Sequence, residues 1–326
     1  MWDFKLGEVF AALWKTKSFL IFRFLIYMGI TLAYIVGTGM GGGIGYLFGA
    51  VSANKPAGVF YGMVGGFTLV SGVLFYLREY LLYMVKAGHI AVIVKVLDGE
   101  DIPEGKSQIR YAQDIVKQRF KEASVLFVLD QIIKKILKAF NRAFFTIASW
   151  LPIPDGVLRF INAVVNTSIT YMDEVMLAYN IRNEKENPWE GSRTALVLYA
   201  QNYKIFLKNA LFLTAITWIL SILVLVVTFG PIAALIAYTP YQGGFAPFVL
   251  ALVTAWGIKS ALIDPLAMTA IMQVFFKVTE GQQANPEWEA KLERISDKFI
   301  EMKDRAVSWS KERFGSRSQE TAAPKT

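Results

Sequence analysis

Apolar positions in this chain fall into long unbroken runs and into helical stripes, with little of the alternation that marks half-buried strands. The longest run is decisive. From Asn209 to Ile258 there are fifty residues without a single Asp, Glu, Lys or Arg. A bilayer core is about 30 Å thick and takes roughly 20 apolar residues to cross as a helix. The run therefore holds one span, 209–229, a breaker at Gly230-Pro231, a linker over Tyr238–Gly244, and the start of a return span over 246–276. The return span carries only two charges, Lys259 and Asp264, with Pro265 following.

Two further spans are predicted near the start, at 19–36 and 59–77, after a short amphipathic segment over residues 1–17. That segment is either an interfacial helix or the first turns of the span that follows. Between the two spans, Gly37–Gly49 (GTGMGGGIGYLFG) lacks the Gly-Lys-Ser/Thr end of a phosphate loop and reads as glycine packing or a turn at the membrane surface. Gly58, Gly62 and Gly66 recur every four residues, a small-residue stripe suited to close helix contact. Leu81–Val96 is apolar again and is read as a helical extension or an interfacial helix.

Residues 98–208 are expected to form cytoplasmic or interfacial helices. Over 125–145, Leu126, Leu129, Ile133, Ile136, Leu137 and Phe140 line one side. Asp130, Lys134, Lys138 and Arg142 fall every four residues on another, with Lys135 beside them. A basic amphipathic helix of this kind fits anionic headgroups; packing into a helical subdomain is the alternative. The segment 156–179 is too polar for a lipid-exposed span, and Asn162, Asn166 and Asp173 share roughly one face that would line a polar path if it pointed inward. Trp288, Leu292, Ile295, Phe299, Met302, Ala306 and Trp309 step by four and three through a C-terminal helix over 279–314. That seam makes either a coiled coil or a contact with the chain's own helices. Residues 315–326 have no pattern.

The predicted fold is thus all-α: a polytopic helical integral membrane protein with interfacial or cytoplasmic amphipathic helices. It has N-terminal (1–97) and C-terminal (209–278) membrane hairpins. Lys5, Lys15 and Lys17 precede the first span, only Lys55 lies in the first loop, and Lys and Arg gather in 78–142, 182–208 and 277–317. The positive-inside rule then places both termini in the cytoplasm, with a plasma or inner membrane as the expected location.

Composition narrows the chemistry. The net charge of +8 is scattered among apolar spans and forms no nucleic-acid module, so anionic lipid is the expected partner, together with further copies or another membrane protein. There is no cysteine and one histidine, His89. Thiolate metal sites, disulfides and multi-histidine centres are excluded, and neither metal nor cofactor is expected. Asp173 and Glu174 are adjacent acids on different helix faces, so no catalytic pair is formed and an enzyme is not expected.

The candidate polar site is Lys259 and Asp264, to be met by Arg23 or by the Asn162, Asn166, Asp173 face. Five residues apart, Lys259 and Asp264 are offset by about 140° on an ideal helix. They meet directly only if Pro265 distorts the turn.

Three stretches carry a resemblance: IIKKILKAFNRAFFTIA (Ile132–Ala148), GSRTALVLYAQNYKIFLKNA (Gly191–Ala210) and KSALIDPLAMTAIMQVFFKV (Lys259–Val278). Their order resembles the C-terminal half of the choline transporter-like family. The resemblance covers under half of the chain, and the family's large extracellular loop and extra spans are missing. It implies solute transport and transfers no substrate residue. A non-catalytic scaffold, acting through the glycine stripe and the heptad helix, is the competing expectation.

Overall fold

The computed structural model describes the backbone of residues 2–120, 123–148, 154–183, 187–238 and 246–320. Trp150 and the three residues after it, the linker past Tyr238 and the tail past Glu320 lie outside the described residues. Every regular element among the described residues is a helix. In chain order these are α1 (Leu6–Lys15), α2 (Lys17–Val51), α3 (Lys55–Leu97), α4 (Lys106–Phe120), α5 (Ala123–Ala148) and α6 (Asp155–Arg182). Then come α7 (Pro188–Gln201), α8 (Tyr203–Ala237), α9 (Ala246–Ile258), a π-turn (Lys259–Ile263), α10 (Asp264–Thr279), α11 (Pro286–Ile295) and α12 (Asp297–Glu320).

The chain folds as two compact units. The apolar unit comprises Thr16–Lys86 and Ala215–Leu266. The mixed unit comprises Met1–Lys15, Ala87–Thr214 and Ala267–Thr326.

In the apolar unit, Gly37–Gly49 does not form a turn. It is the second half of α2, which runs helically for 35 residues. The turn to α3 is only Ser52–Asn54, with Ala53 at φ 56°. Glycines disfavour a helix in isolation, but here they let two backbones touch. A Cβ at Gly62 would overlap the Gly41 carbonyl oxygen, and one at Gly58 would lie 2.7 Å from the Gly49 Cα. Gly37, Gly41, Gly45 and Gly49 thus interleave with Gly58, Gly62 and Gly66, and the stripe closes the hairpin on itself. On another side, Gly257 of α9 lets Tyr27 and Thr31 of α2 approach, and Tyr27 meets Trp256 edge-on at 5.6 Å.

Among the described residues, four segments are long and apolar enough to cross a membrane: Lys17–Val51, Lys55–Phe75, Tyr203–Ala237 and Pro247–Thr279. Their outward faces are apolar, with Leu25, Leu32, Phe60, Leu69, Ile219, Ile222 and Val226 all exposed. Water does not favour so continuous an apolar surface.

The mixed unit is built around two helix ends that are buried on all sides. Residues 87–94 of α3, His89 among them, and 267–272 of α10 are buried without exception. A largely apolar helix can satisfy either lipid or a core. The second half of the predicted 246–276 span is enclosed by protein, within a segment that as a whole is long and apolar enough to cross a membrane. The segment 81–96 is the continuous end of α3, as the extension reading has it.

The apolar stripe of α5 is covered by α6, α7, α11 and α12, so α5 is a packed helix. Lys135, Lys138 and Arg142 stay exposed on its outer side. The heptad seam is broken at Ser296, where the backbone turns extended between α11 and α12. Leu292, Phe299, Met302 and Ala306 are buried, and α12 packs on α5 and α7 of the same chain. Two Asn-Pro steps start helices here: Asn187 and Asn285 cap α7 and α11 with their side-chain oxygens, and the proline that follows each has no N–H to lose. The preceding helix, α6, runs to Arg182, and α7 starts at Pro188.

Candidate functional site

The six residues read as one polar site divide between the units. Arg23, Lys259 and Asp264 belong to the apolar unit, and Asn162, Asn166 and Asp173 to the mixed one. Asn162 is exposed, Asp173 is buried, and the Asn166 side chain lies outside the described residues.

In the apolar unit the organising feature is Pro265. It has no N–H, and in a regular α-helix its ring would crowd the Ala261 carbonyl four residues back. The backbone widens instead into the π-turn, where hydrogen bonds run from i+5 to i. The Asp264 N–H accordingly donates to the Lys259 carbonyl. This stacks residues five apart, and the Lys259 ammonium meets the Asp264 carboxylate at 2.5 Å. The 140° offset of an ideal helix is removed by the distortion that proline imposes.

The π-turn also frees a carbonyl. Arg23, seven residues into α2, donates from Nη2 to the Ser260 carbonyl oxygen at 2.8 Å. Arg23 is only 2 % exposed. Its Nε and Nη1 find no hydrogen-bond partner among the described residues. An arginine fork matches planar oxygen pairs such as carboxylate or phosphate. This one is held by a single carbonyl.

No family model, curated protein or solved structure matches this chain.

The mixed unit holds a second charged cluster. Lys134, read from sequence as a headgroup contact, lies between two carboxylates. Its Nζ is 2.6 Å from Asp130 Oδ2 and 3.3 Å from Asp173 Oδ2. Asp130 and Asp173 are each 4 % exposed. Burial, and then the charge of Asp173, push the Asp130 carboxyl up to about 7. Glu174, beside Asp173 on α6, is also buried. Among the described residues no group of three His, Cys, Asp or Glu side chains is placed to hold a metal ion.

Two participants were hidden from sequence reasoning. The Ser260 carbonyl has no side-chain signature at all. Asp130 stood in a row of charges every four residues, and only the approach of α6 shows that this member faces inward.

Proposed function

We propose that the protein is a multi-pass membrane protein that handles a small solute or lipid headgroup bearing an anionic oxygen group. Both termini lie on the cytoplasmic side of a plasma or inner membrane in this reading, as the distribution of Lys and Arg supports. The observation that carries the functional part is Arg23. A guanidinium within an apolar span is costly, and such groups pair, face a path or carry function. Arg23 has one neutral carbonyl and two unengaged nitrogens. It sits at a π-turn, a distortion that recurs at functional sites. The resemblance to the choline transporter-like family supports transport over simple retention. The features that favoured a scaffold are spent within the chain: the glycine stripe on the hairpin and the heptad seam on α5 and α7.

Native mass spectrometry of the full-length protein in detergent tests this. Wild type is expected to retain a phospholipid or an added phosphomonoester, Arg23→Lys to retain less, and Arg23→Gln to lose it. Release of phosphocholine or glycerol phosphate from proteoliposomes then separates a carrier from a lipid holder. Equal retention by Arg23→Gln and wild type overturns the reading.

A further inference from the structure

We propose that Asp130 and Asp173 form a proton-binding site in the mixed unit, a buried carboxyl–carboxylate pair that shares one proton beside Lys134. This inference stands apart from the reading of Arg23 and holds or fails without it.

The argument starts from charge. Two carboxylates and one ammonium meet where the two aspartates are almost fully enclosed. With both acids ionised, the cluster carries one uncompensated negative charge away from water. Such a charge is not tolerated at depth; the group takes up a proton instead.

Donor accounting gives the same answer independently. Lys134 supplies N–H groups to Oδ2 of each aspartate. The Gln131 amide reaches Asp130 Oδ2 at 3.4 Å. Oδ1 of Asp173 is buried and receives no donor among the described residues. Both Oδ2 atoms contact the same Lys134 ammonium, at 2.6 and 3.3 Å, which holds the two carboxyls side by side. Two carboxylates can only accept, so a direct hydrogen bond between them forms only when one of them carries the proton. The position of Asp130 about 7 follows from the same geometry, with Lys134 opposing but not cancelling it.

The groups acting on Asp130 most strongly are Lys134 from its own helix and Asp173 from α6. Four cations on the other helices packed against α5 are engaged elsewhere. Arg119 of α4 donates to Asn180, Arg193 of α7 pairs with Glu190 and with Glu289 of α11, and Lys298 and Arg305 of α12 pair with Glu301. Since the two aspartates sit on α5 and α6, loss of the proton sets like charges against each other across that helix contact.

Infrared spectroscopy of the full-length protein in detergent, grown with carbon-13-labelled aspartate, reads the proton directly. Between pH 6 and 9 ordinary aspartates are ionised. We expect one label-shifted carboxyl C=O band that disappears with a midpoint near neutrality. Asp130→Asn should abolish it, and Asp173→Asn should move the midpoint down. Lys134→Met should move it up by about one pH unit or more, because an opposing charge is removed. A merely structural role predicts no such opposite shifts. If the variants do not fold, the wild-type titration decides alone. Absence of a labelled band above pH 6 overturns the proposal, as does a band that survives in both aspartate variants.

Discussion

Alanine at Gly62 should loosen the hairpin of α2 and α3, and alanine at Gly65, three residues on, should not. A Cβ at Gly62 would overlap the Gly41 carbonyl oxygen and lie 2.8 Å from the Gly45 Cα. Ordinary contact begins near 3.4 Å and the Gly41 oxygen would lie at 2.1 Å, so the backbones must part by about 1.3 Å. The obstructing atoms are backbone, and no rotamer change relieves them. Because both helices are stiff, the gap spreads to the neighbouring glycine contacts. A gap of that size forfeits more than half of each atom-pair well, roughly 0.1 kcal/mol per pair. Over a few tens of pairs along the seam this amounts to about 2–3 kcal/mol, within the range for overpacked sites. At Gly65 nothing lies within 4 Å of the added carbon. In a bilayer the separated helices are already helical, so the helix-propensity gain of alanine largely cancels and the change should be near zero. Resistance of the detergent-purified variants to SDS, followed by circular dichroism, gives the comparison. If Gly62→Ala unfolds at the same SDS fraction as Gly65→Ala and wild type, the interleaved contact is not holding the hairpin.

Three other outcomes follow from the geometry. Asp130 is raised from its ordinary 3.8 to about 7, so between those values the folded chain holds a proton that the unfolded chain has released. Stability then falls as pH rises through this window and levels off above it. The full shift corresponds to about 4 kcal/mol, and Asp130→Asn should flatten the dependence of Tm on pH between 5 and 7.5. Pro265→Ala restores the missing N–H and lets the π-turn revert to α geometry. A double-mutant cycle of Lys259→Met and Asp264→Asn should show a coupling of about 0.5–1 kcal/mol in the wild-type background and none with Pro265→Ala; coupling that persists would remove the role assigned to proline. Phe299→Ala should cost about 3–5 kcal/mol of stability, with no change of oligomer mass by light scattering, because the seam closes on the same chain; a change in mass would return the heptads to a coiled coil.

The helical class and the four apolar segments were legible because length and hydropathy report them directly. Three features were not, each for its own reason. Gly37–Gly49 left glycine packing and a surface turn both open because glycine weakens isolated helices, whereas the neighbouring backbone that decides for packing lies across a hairpin. The burial of 267–272 among protein helices did not show, because a largely apolar helix looks the same to lipid and to a protein core. Lys134 read as surface because its i, i+4 partner Asp130 is local, while Asp173 comes from another helix. Lys259 and Asp264 are the instructive middle case. Their separation argued against a pair, and Pro265 was the visible reason it could form.

The mixed unit is assembled from three separated stretches of chain, with 87–94 and 267–276 both in its core. This sets an order for biogenesis. The glycine hairpin needs only residues up to about 70 and can zip as soon as it leaves the ribosome. The buried end of α3 follows directly, but the other fully buried stretch of the unit, 267–272 of α10, is made about 170 residues later. For that interval a segment fit for burial has no permanent shelter. A nascent chain stalled before Ala267 should therefore be a client of holding chaperones, and one released after the full core has emerged should not.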